Sequence, residues 1–267
     1  MGAIVITGST RGIGLGLARA FVELGREVMV SGRTRAAVDG AVAELAGEYG
    51  EDRVGGKACD VTDLVQLQAL WDAATARFGG VDVWINNAGI ANSVGPVWEL
   101  DAAELATVVQ TNVVGAMLGC KVAIAGMLGQ GGGAVYNMEG LGSDGRKVEG
   151  LTPYGATKRA VAYLTEALAA EVKGTPVLVG GIRPGMVITD MLMRGLPEKG
   201  AERDRYVKVY DTLADRVETV APWVARQVAD NRKNGKVISW LTGGKVMWRF
   251  ATAGITGRKV VGEGRSL

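Results

Sequence analysis

Short apolar runs alternate with stretches of helical periodicity along most of this chain, and that alternation leaves few folds open. Residues 3–7, 27–31, 54–60, 81–86, 133–138, 177–183 and 237–241 read as strands. Between them, residues 12–24, 35–49, 62–78 and 154–172 space their apolar side chains as helices do, and another helix runs through Leu118. Thr62 stands where a cap for the third of these is expected. Apolar strands joined by helices mean βαβ units whose parallel strands are covered on both faces. Right-handed crossovers then predict a doubly wound Rossmann α/β fold, with a parallel sheet of about seven strands and helices on both faces. No linker or long repeat interrupts the 267 residues, so one domain is expected over 1–267.

Composition removes several chemistries. There is no histidine, which excludes Ser–His–Asp hydrolysis and imidazole-bound zinc together. Cys59 and Cys120 fit no metal-ligand spacing, so no metal is expected and both read as buried thiols. The apolar stretch 113–129 is broken by Lys121 and is short for a bilayer, which suits a buried or interface helix. The first strand pattern begins almost at Met1 without a charged leader, so a cytoplasmic location is expected. Charge is uneven: from Asn231 onward eight basic residues face one acid, a net +7, against +2 for the whole chain. That basic end suits an anionic partner or peripheral contact with a membrane surface. Nucleic acid is not expected, because no recognition motif accompanies the charge.

The segment Gly8, Ser9, Thr10, Arg11, Gly12, Ile13, Gly14 joins the first strand to the first helix. Glycines there permit a tight turn and let the backbone approach a pyrophosphate, whose charge the helix N-terminus favours. A plain loop has a similar composition; the place in the first βα unit is what favours a dinucleotide. After the second strand comes Arg33 where a ribose-binding acid would stand. Its guanidinium suits a 2′-phosphate, with Arg11 on the same side, so NADPH/NADP+ is expected over NADH. A solvated arginine is the plainer alternative. Asp60, followed by Val61, either accepts from the adenine amino group or is simply a helix N-terminal acid. Asn87, Ala88 and Gly89 close the fourth strand with small residues against which an adenosine can lie. Tyr154 and Lys158 stand one helical turn apart on one face. A neighbouring ammonium favours phenolate, which makes Tyr154 a proton donor and acceptor nearer neutrality.

Taken together, residues 7–14, 86–89, Asn112, Tyr154 with Lys158, and Arg183-Pro184-Gly185 resemble the short-chain dehydrogenase/reductases. The resemblance implies that Tyr154 is the catalytic acid, that Lys158 tunes it and holds ribose, and that Asn112 positions a water. It also implies cofactor contacts from Pro184, Gly185, Val187 and Thr189. The family's usual substrate-orienting serine is missing: Gly140 or Leu141 occupies its place, and the nearest hydroxyl is Ser143, eleven residues before Tyr154. The segment Asn137-Met138-Glu139-Gly140-Leu141-Gly142-Ser143-Asp144-Gly145-Arg146, with Tyr154-Gly155-Ala156-Thr157-Lys158-Arg159, is similar to the chlorophyll(ide) b reductase branch. Trp84 to Gly89, Gly185 to Met193 and Leu241-Thr242-Gly243 extend that similarity. The implied activity is NADPH-dependent reduction of the 7-formyl group of chlorophyll b or chlorophyllide b to 7-hydroxymethyl. Ser143 is expected to donate to the carbonyl oxygen, and Glu139 either to contact the substrate or to order the loop. Two alternatives stand beside this reading: a reductase for another bulky aldehyde, ketone or sterol, and a non-catalytic dinucleotide-binding protein.

Residues 186–204 occupy the place of a substrate lid, with Met186, Met191 and Leu192 offering an adaptable apolar face to a flat tetrapyrrole. A lid folded onto the core is the alternative. In the basic tail, 242–267, Val246, Met247, Phe250, Ala251 and Ile255 form a helical stripe, with Lys245, Trp248 and Arg249 elsewhere on the surface. The stripe suits a membrane, a lipophilic ligand, the sheet or a second subunit. The family's habit of pairing such helices implies a homodimer or homotetramer.

Overall fold

The computed structural model describes residues 2–196 and 198–261. The chain opens with β1 (Ala3–Ile6), α1 (Gly12–Glu23), β2 (Val28–Gly32), α2 (Arg35–Tyr49), β3 (Val54–Ala58), α3 (Leu64–Phe78) and β4 (Val81–Asn86). There follow α4 (Ala102–Val109), α5 (Gly115–Gln130), β5 (Gly133–Met138), α6 (Thr152–Glu171) and β6 (Val177–Arg183). The last part holds β7 (Val187–Ile188), α7 (Asp190–Arg194), α8 (Ala201–Leu213), β8 (Asp215–Arg216), α9 (Val217–Asp230), β9 (Val237–Ser239) and α10 (Gly243–Thr256).

Seven of the strands form one sheet in the order β3-β2-β1-β4-β5-β6-β9, every pair parallel. Side chains alternate across the sheet, so β1 feeds two cores at once. Ile4 and Ile6 join Leu17 and Phe21 of α1 and Val220 and Val224 of α9 on one face. Val5 turns the other way, among Trp71 of α3, Trp84 of β4 and Met127 of α5. This is the expected doubly wound Rossmann-like arrangement. Strand order reverses between β1 and β4, and in such sheets a ligand crevice opens at the carboxyl ends of the strands beside that switch.

Local departures from the sequence reading have identifiable causes. The cap of α3 is Asp63, not Thr62: its carboxylate accepts from the amides of Val65 and Gln66 at 2.8 and 3.2 Å. Thr62 is instead held by Asp60. The stretch 113–129 is part of one helical rod with α4, joined through a π-turn at Gln110–Val114. That rod, Ala102–Gln130, has the length and mean hydropathy (1.5) of a membrane span. It lies on the sheet, however, with Gly119 against Asn86 and Gly126 against the Trp71 ring. The periodicity did not announce α7, α8 or α9. Pro222 interrupts the pattern of α9, and in α8 only Tyr210 is buried.

The tail forms α10, which meets the body through its polar side. Arg249, expected on the surface, is buried with its guanidinium on Asp215 at 2.8 Å. Asp215 also accepts from Trp240 Nε1 at 2.6 Å and pairs with Arg258 at 2.9 Å. Burial of this carboxylate requires such partners. Met247, Trp248 and Phe250 point outward. The Ile255 side chain, residues 262–267 of the tail and Pro197 of the lid lie outside the described residues.

Candidate active site

At the end of β1 the chain turns through Gly8 and Gly12, with φ of +63° and +55°, a conformation that favours glycine. A side chain on Gly14 would run into the Gly8 carbonyl and the Asn87 amide. Helix α1 then begins without a side-chain cap, so its first-turn amides remain available to an anion. The cradle therefore fits a dinucleotide pyrophosphate. Ser9 is turned inward as a brace: its hydroxyl donates to the Ile6 carbonyl at 2.6 Å and accepts from the Ser31 amide at 2.9 Å. Thr10 lies against Gly32, and Ile13 packs on the core beneath.

The fourth strand is tied to this turn by Thr7, the first residue of the 7–14 motif, for which the sequence suggested no role of its own. Thr7 Oγ1 accepts from the amides of Asn87 and Ala88 at 3.0 and 3.1 Å. Asn87 Nδ2 in turn donates to the carbonyls of Thr7 and Gly8, both at 2.9 Å. Arg33 is exposed just beyond β2. Arg11 reaches across the groove instead, 3.9 Å from Asp190 at the start of α7. Asp60 accepts from the amide and hydroxyl of Thr62 at 2.9 and 2.8 Å, and Val61 is buried against Gly115.

Tyr154 and Lys158 project from α6 toward the end of β5. The Lys158 ammonium donates to the Met138 carbonyl at 2.9 Å and lies 5.6 Å from the centre of the Tyr154 ring. Lys158 is buried, and desolvation brings its pKa down to about 8, against the opposing pull of Glu139. Burial also pushes the Tyr154 hydroxyl up to about 12. The expected drift of the phenol toward neutrality is thus absent in this geometry, where desolvation is the cause that acts on it. Asn112, inside the π-turn, is engaged on both ends: Oδ1 accepts from the Ile90 amide at 2.8 Å, and Nδ2 donates to the Ile90 carbonyl at 2.8 Å and to Thr157 at 3.0 Å. Gly89 stands between these groups; a Cβ there would be 3.2 Å from Asn112 Oδ1 and 3.5 Å from Lys158 Nζ. Asn92 and Thr157 also escaped the sequence reading. Asn92 Oδ1 accepts from the Tyr154 amide at 3.1 Å, and Thr157 Oγ1 donates to the Tyr154 carbonyl at 2.7 Å.

The missing serine has a steric counterpart. A Cβ on Gly140 would lie 2.6 Å from the Tyr154 hydroxyl and 3.3 Å from Lys158 Cγ. The phenol thus occupies the space a side chain at 140 would need. Ser143 is buried, its amide closing a turn onto the Gly140 carbonyl at 3.0 Å, and no hydrogen bond joins its hydroxyl to Tyr154 among the described residues. Glu139 is buried and ion-paired with Arg183 Nε. Burial pushes the Glu139 carboxyl above its ordinary value even against that pairing.

Of the lid residues, Met186 and Leu192 pack with Met193 on Leu196 and Tyr210, while Met191 stays exposed. Thr189 caps α7, accepting from the Leu192 amide at 3.4 Å, and its methyl faces Gly12 across the groove. Val187 and Pro184 are buried. Gly185, at φ +74°, lies against Leu241.

Residues 2–199 match the family model described as short chain dehydrogenase. The chain is 42% identical over 204 residues to the chloroplastic chlorophyll(ide) b reductase NOL of Oryza sativa subsp. japonica, covering 74% of this chain and 60% of the relative. To the chloroplastic chlorophyll(ide) b reductase NOL of Arabidopsis thaliana it is 39% identical over 266 residues, covering 96% of this chain and 75% of the relative. The match to the rice relative thus spans less than two thirds of that protein's length. The crystal structure of a variant actinorhodin polyketide ketoreductase with NADPH superposes with a TM-score of 0.80 at 27% identity, covering 92% of this chain and 97% of that one.

Proposed function

This chain belongs to the short-chain dehydrogenases and is an oxidoreductase of a nicotinamide dinucleotide, and from that premise we propose that it uses NADPH to reduce the 7-formyl group of chlorophyll b or chlorophyllide b to 7-hydroxymethyl. The observation that carries the reading is the Tyr154 hydroxyl lying against Gly140 at the carboxyl end of β5, one turn from the buried Lys158. The identity to chlorophyll(ide) b reductases over nearly the whole chain supports the pigment as substrate.

The turn 8–14 and the ends of β4 and β6 would hold the dinucleotide, whose reduced nicotinamide would supply the hydride for the formyl carbon. Every other part falls to the chain. Tyr154 gives its proton to the carbonyl oxygen, so that charge does not build on it. A phenol whose proton is held up to about 12 remains an acid throughout the neutral range. Lys158 keeps a positive charge beside it and donates to the ribose. Asn112, Asn92 and Thr157 act as positioning residues, fixing the Ile90 backbone and the first turn of α6 around the phenol. Arg33 takes the 2′-phosphate, for which no competing acid stands at the end of β2. Asp60, Val61, Ala88 and Asn87 flank the adenosine, and Thr189, Val187 and Pro184 close over the nicotinamide side.

The test is to incubate the protein with NADPH and chlorophyll b or chlorophyllide b and to follow the formyl-dependent absorption together with cofactor oxidation. Turnover that disappears in Tyr154→Phe supports the assignment. NADPH binding without conversion of either pigment refutes it and leaves the reductase of another bulky carbonyl, to be sought with a panel of aldehydes and ketones.

A further inference from the structure

A cleft of about 280 Å³ opens beside the site, between the loop after β5, the end of β6 and the start of α10. Gly140 belongs to its wall, and it is the residue against which the Tyr154 hydroxyl lies. Two guanidinium groups line it, Arg183 and Arg146. Each is held at Nε by a carboxylate: Arg183 by Glu139, and Arg146 by Asp144 at 3.0 Å. The terminal nitrogens of both arginines have no hydrogen-bond partner among the described residues. Ser143, only 1% exposed, lines the same cleft, and its hydroxyl is likewise without a partner among the described residues. Across from it begins α10, a helix of 14 residues whose Thr242 cap serves the Lys245 amide. That leaves the amides of Gly243 and Gly244 without a partner among the described residues.

These donors have a common requirement. Two guanidinium forks and a helix N-terminus offer only hydrogen-bond protons to whatever lies between them, the Ser143 hydroxyl can add another, and the Asp144 carboxylate in the same wall is engaged by Arg146. Glu139 and Asp144 offset the arginine charges, so the cleft is not a general sink for anions. It selects by geometry, for a planar group with two acceptor oxygens. We propose that this cleft binds a carboxylate carried by the substrate, and so makes the enzyme prefer the free acid of its carbonyl substrate over the ester. The identity of that acid rests on the function proposed above: it is chlorophyllide b, whose propionate is free, rather than chlorophyll b, in which a long chain esterifies it. On this assignment Ser143 serves the carboxylate and not the reacting carbonyl oxygen.

The experiment compares acid and ester on two scaffolds, chlorophyllide b with its methyl ester and a 3-keto bile acid with its methyl ester. Dissociation constants are read from quenching of tryptophan fluorescence in the full-length protein with NADP+ present, and kcat/KM from NADPH oxidation. A charge-assisted pair is worth about tenfold to a hundredfold in affinity, so the acid of the bound scaffold binds at least about tenfold tighter than its ester. Arg146→Gln, and the paired change Glu139→Gln with Arg183→Gln, which removes both members of that ion pair together, bring the two constants together while ester binding holds. Equal constants for acid and ester in the wild type overturn the proposal, as does a preference that survives both variants, or failure of both acids to bind. A pigment that neither binds nor reacts, beside a bile acid that binds better than its ester, removes the chlorophyllide and leaves the carboxylate cleft standing.

Discussion

Replacing Gly140 with alanine adds one methyl group at the most crowded point of the site. That carbon would lie 2.6 Å from the Tyr154 hydroxyl oxygen, where ordinary contact begins at 3.4 Å. About 0.8 Å must therefore be found by movement. Lys158 cannot supply it by yielding, because its Cγ and Cε already stand 3.3 and 3.4 Å from the same position. The phenol has to swing outward, away from the line between hydride and carbonyl. A misplacement near 1 Å costs on the order of a hundredfold in rate, so Gly140→Ala is expected to lower kcat by about tenfold to a hundredfold. The methyl is remote from the turn 8–14, so the Kd for NADPH stays within about twofold. Stopped-flow single turnovers separate the hydride step from product release, and Leu141→Ala serves as a neighbour control. A Gly140→Ala protein with full single-turnover rate would refute the placement of the phenol against residue 140.

Arg33→Ala is expected to cut the preference for NADPH over NADH by about tenfold or more, as loss of a charge-assisted phosphate contact does; an unchanged ratio of the two Kd values removes Arg33 from cofactor selection. Lys158→Met should stabilise the folded chain below pH 8 while abolishing turnover. The folded-state value of about 8 lies below the ordinary 10.5, so the unfolded chain holds the extra proton between these values. Wild-type stability therefore climbs as pH rises from about 8 to 10.5, and the burial cost below pH 8 is up to about 3 kcal/mol. Urea melts at pH 7 and pH 10 check it: the climb is present in the wild type and missing from the variant. Asp215→Ala leaves Arg249 buried without its partner, which costs about 3–5 kcal/mol, read as a lower midpoint in urea and early proteolysis of α10.

The sheet was legible because its strands are buried on both faces, and their runs of Val, Ile and Ala survive any change in context. The sites on those strand ends were legible for a related reason: glycine at 8, 12 and 14 and the Tyr154–Lys158 spacing are local patterns. What stayed hidden depends on partners distant in sequence. Thr7 is bound to Asn87 and Ala88, some 80 residues away. Asn92 reaches the Tyr154 amide across 62 residues. Arg249 looked like one more surface cation until Asp215, 34 residues earlier, drew it inward. The upward pull on the phenol was not legible from spacing, because a helical turn fixes how near the ammonium comes but says nothing of how little water reaches either group. Asp63 displaced Thr62 as a cap through a competition that composition does not record, since either residue serves at that position.

The widened turn at Gln110–Val114 carries a consequence for how α4 can vary. A π-turn holds one residue more than the α-helix it interrupts, so it rotates everything upstream by about 100° relative to α5. Whole coils added to or removed from α4 would leave Asn112 facing Ile90. Deleting a single residue inside the widened turn would relax it to regular helix, swing α4 around its axis, and dial the amide of Asn112 away from Thr157 and the phenol's helix. The extra residue thus works as a phase setting for the rod, through which the angular position of one amide is tied to the bearing of a surface more than a coil away.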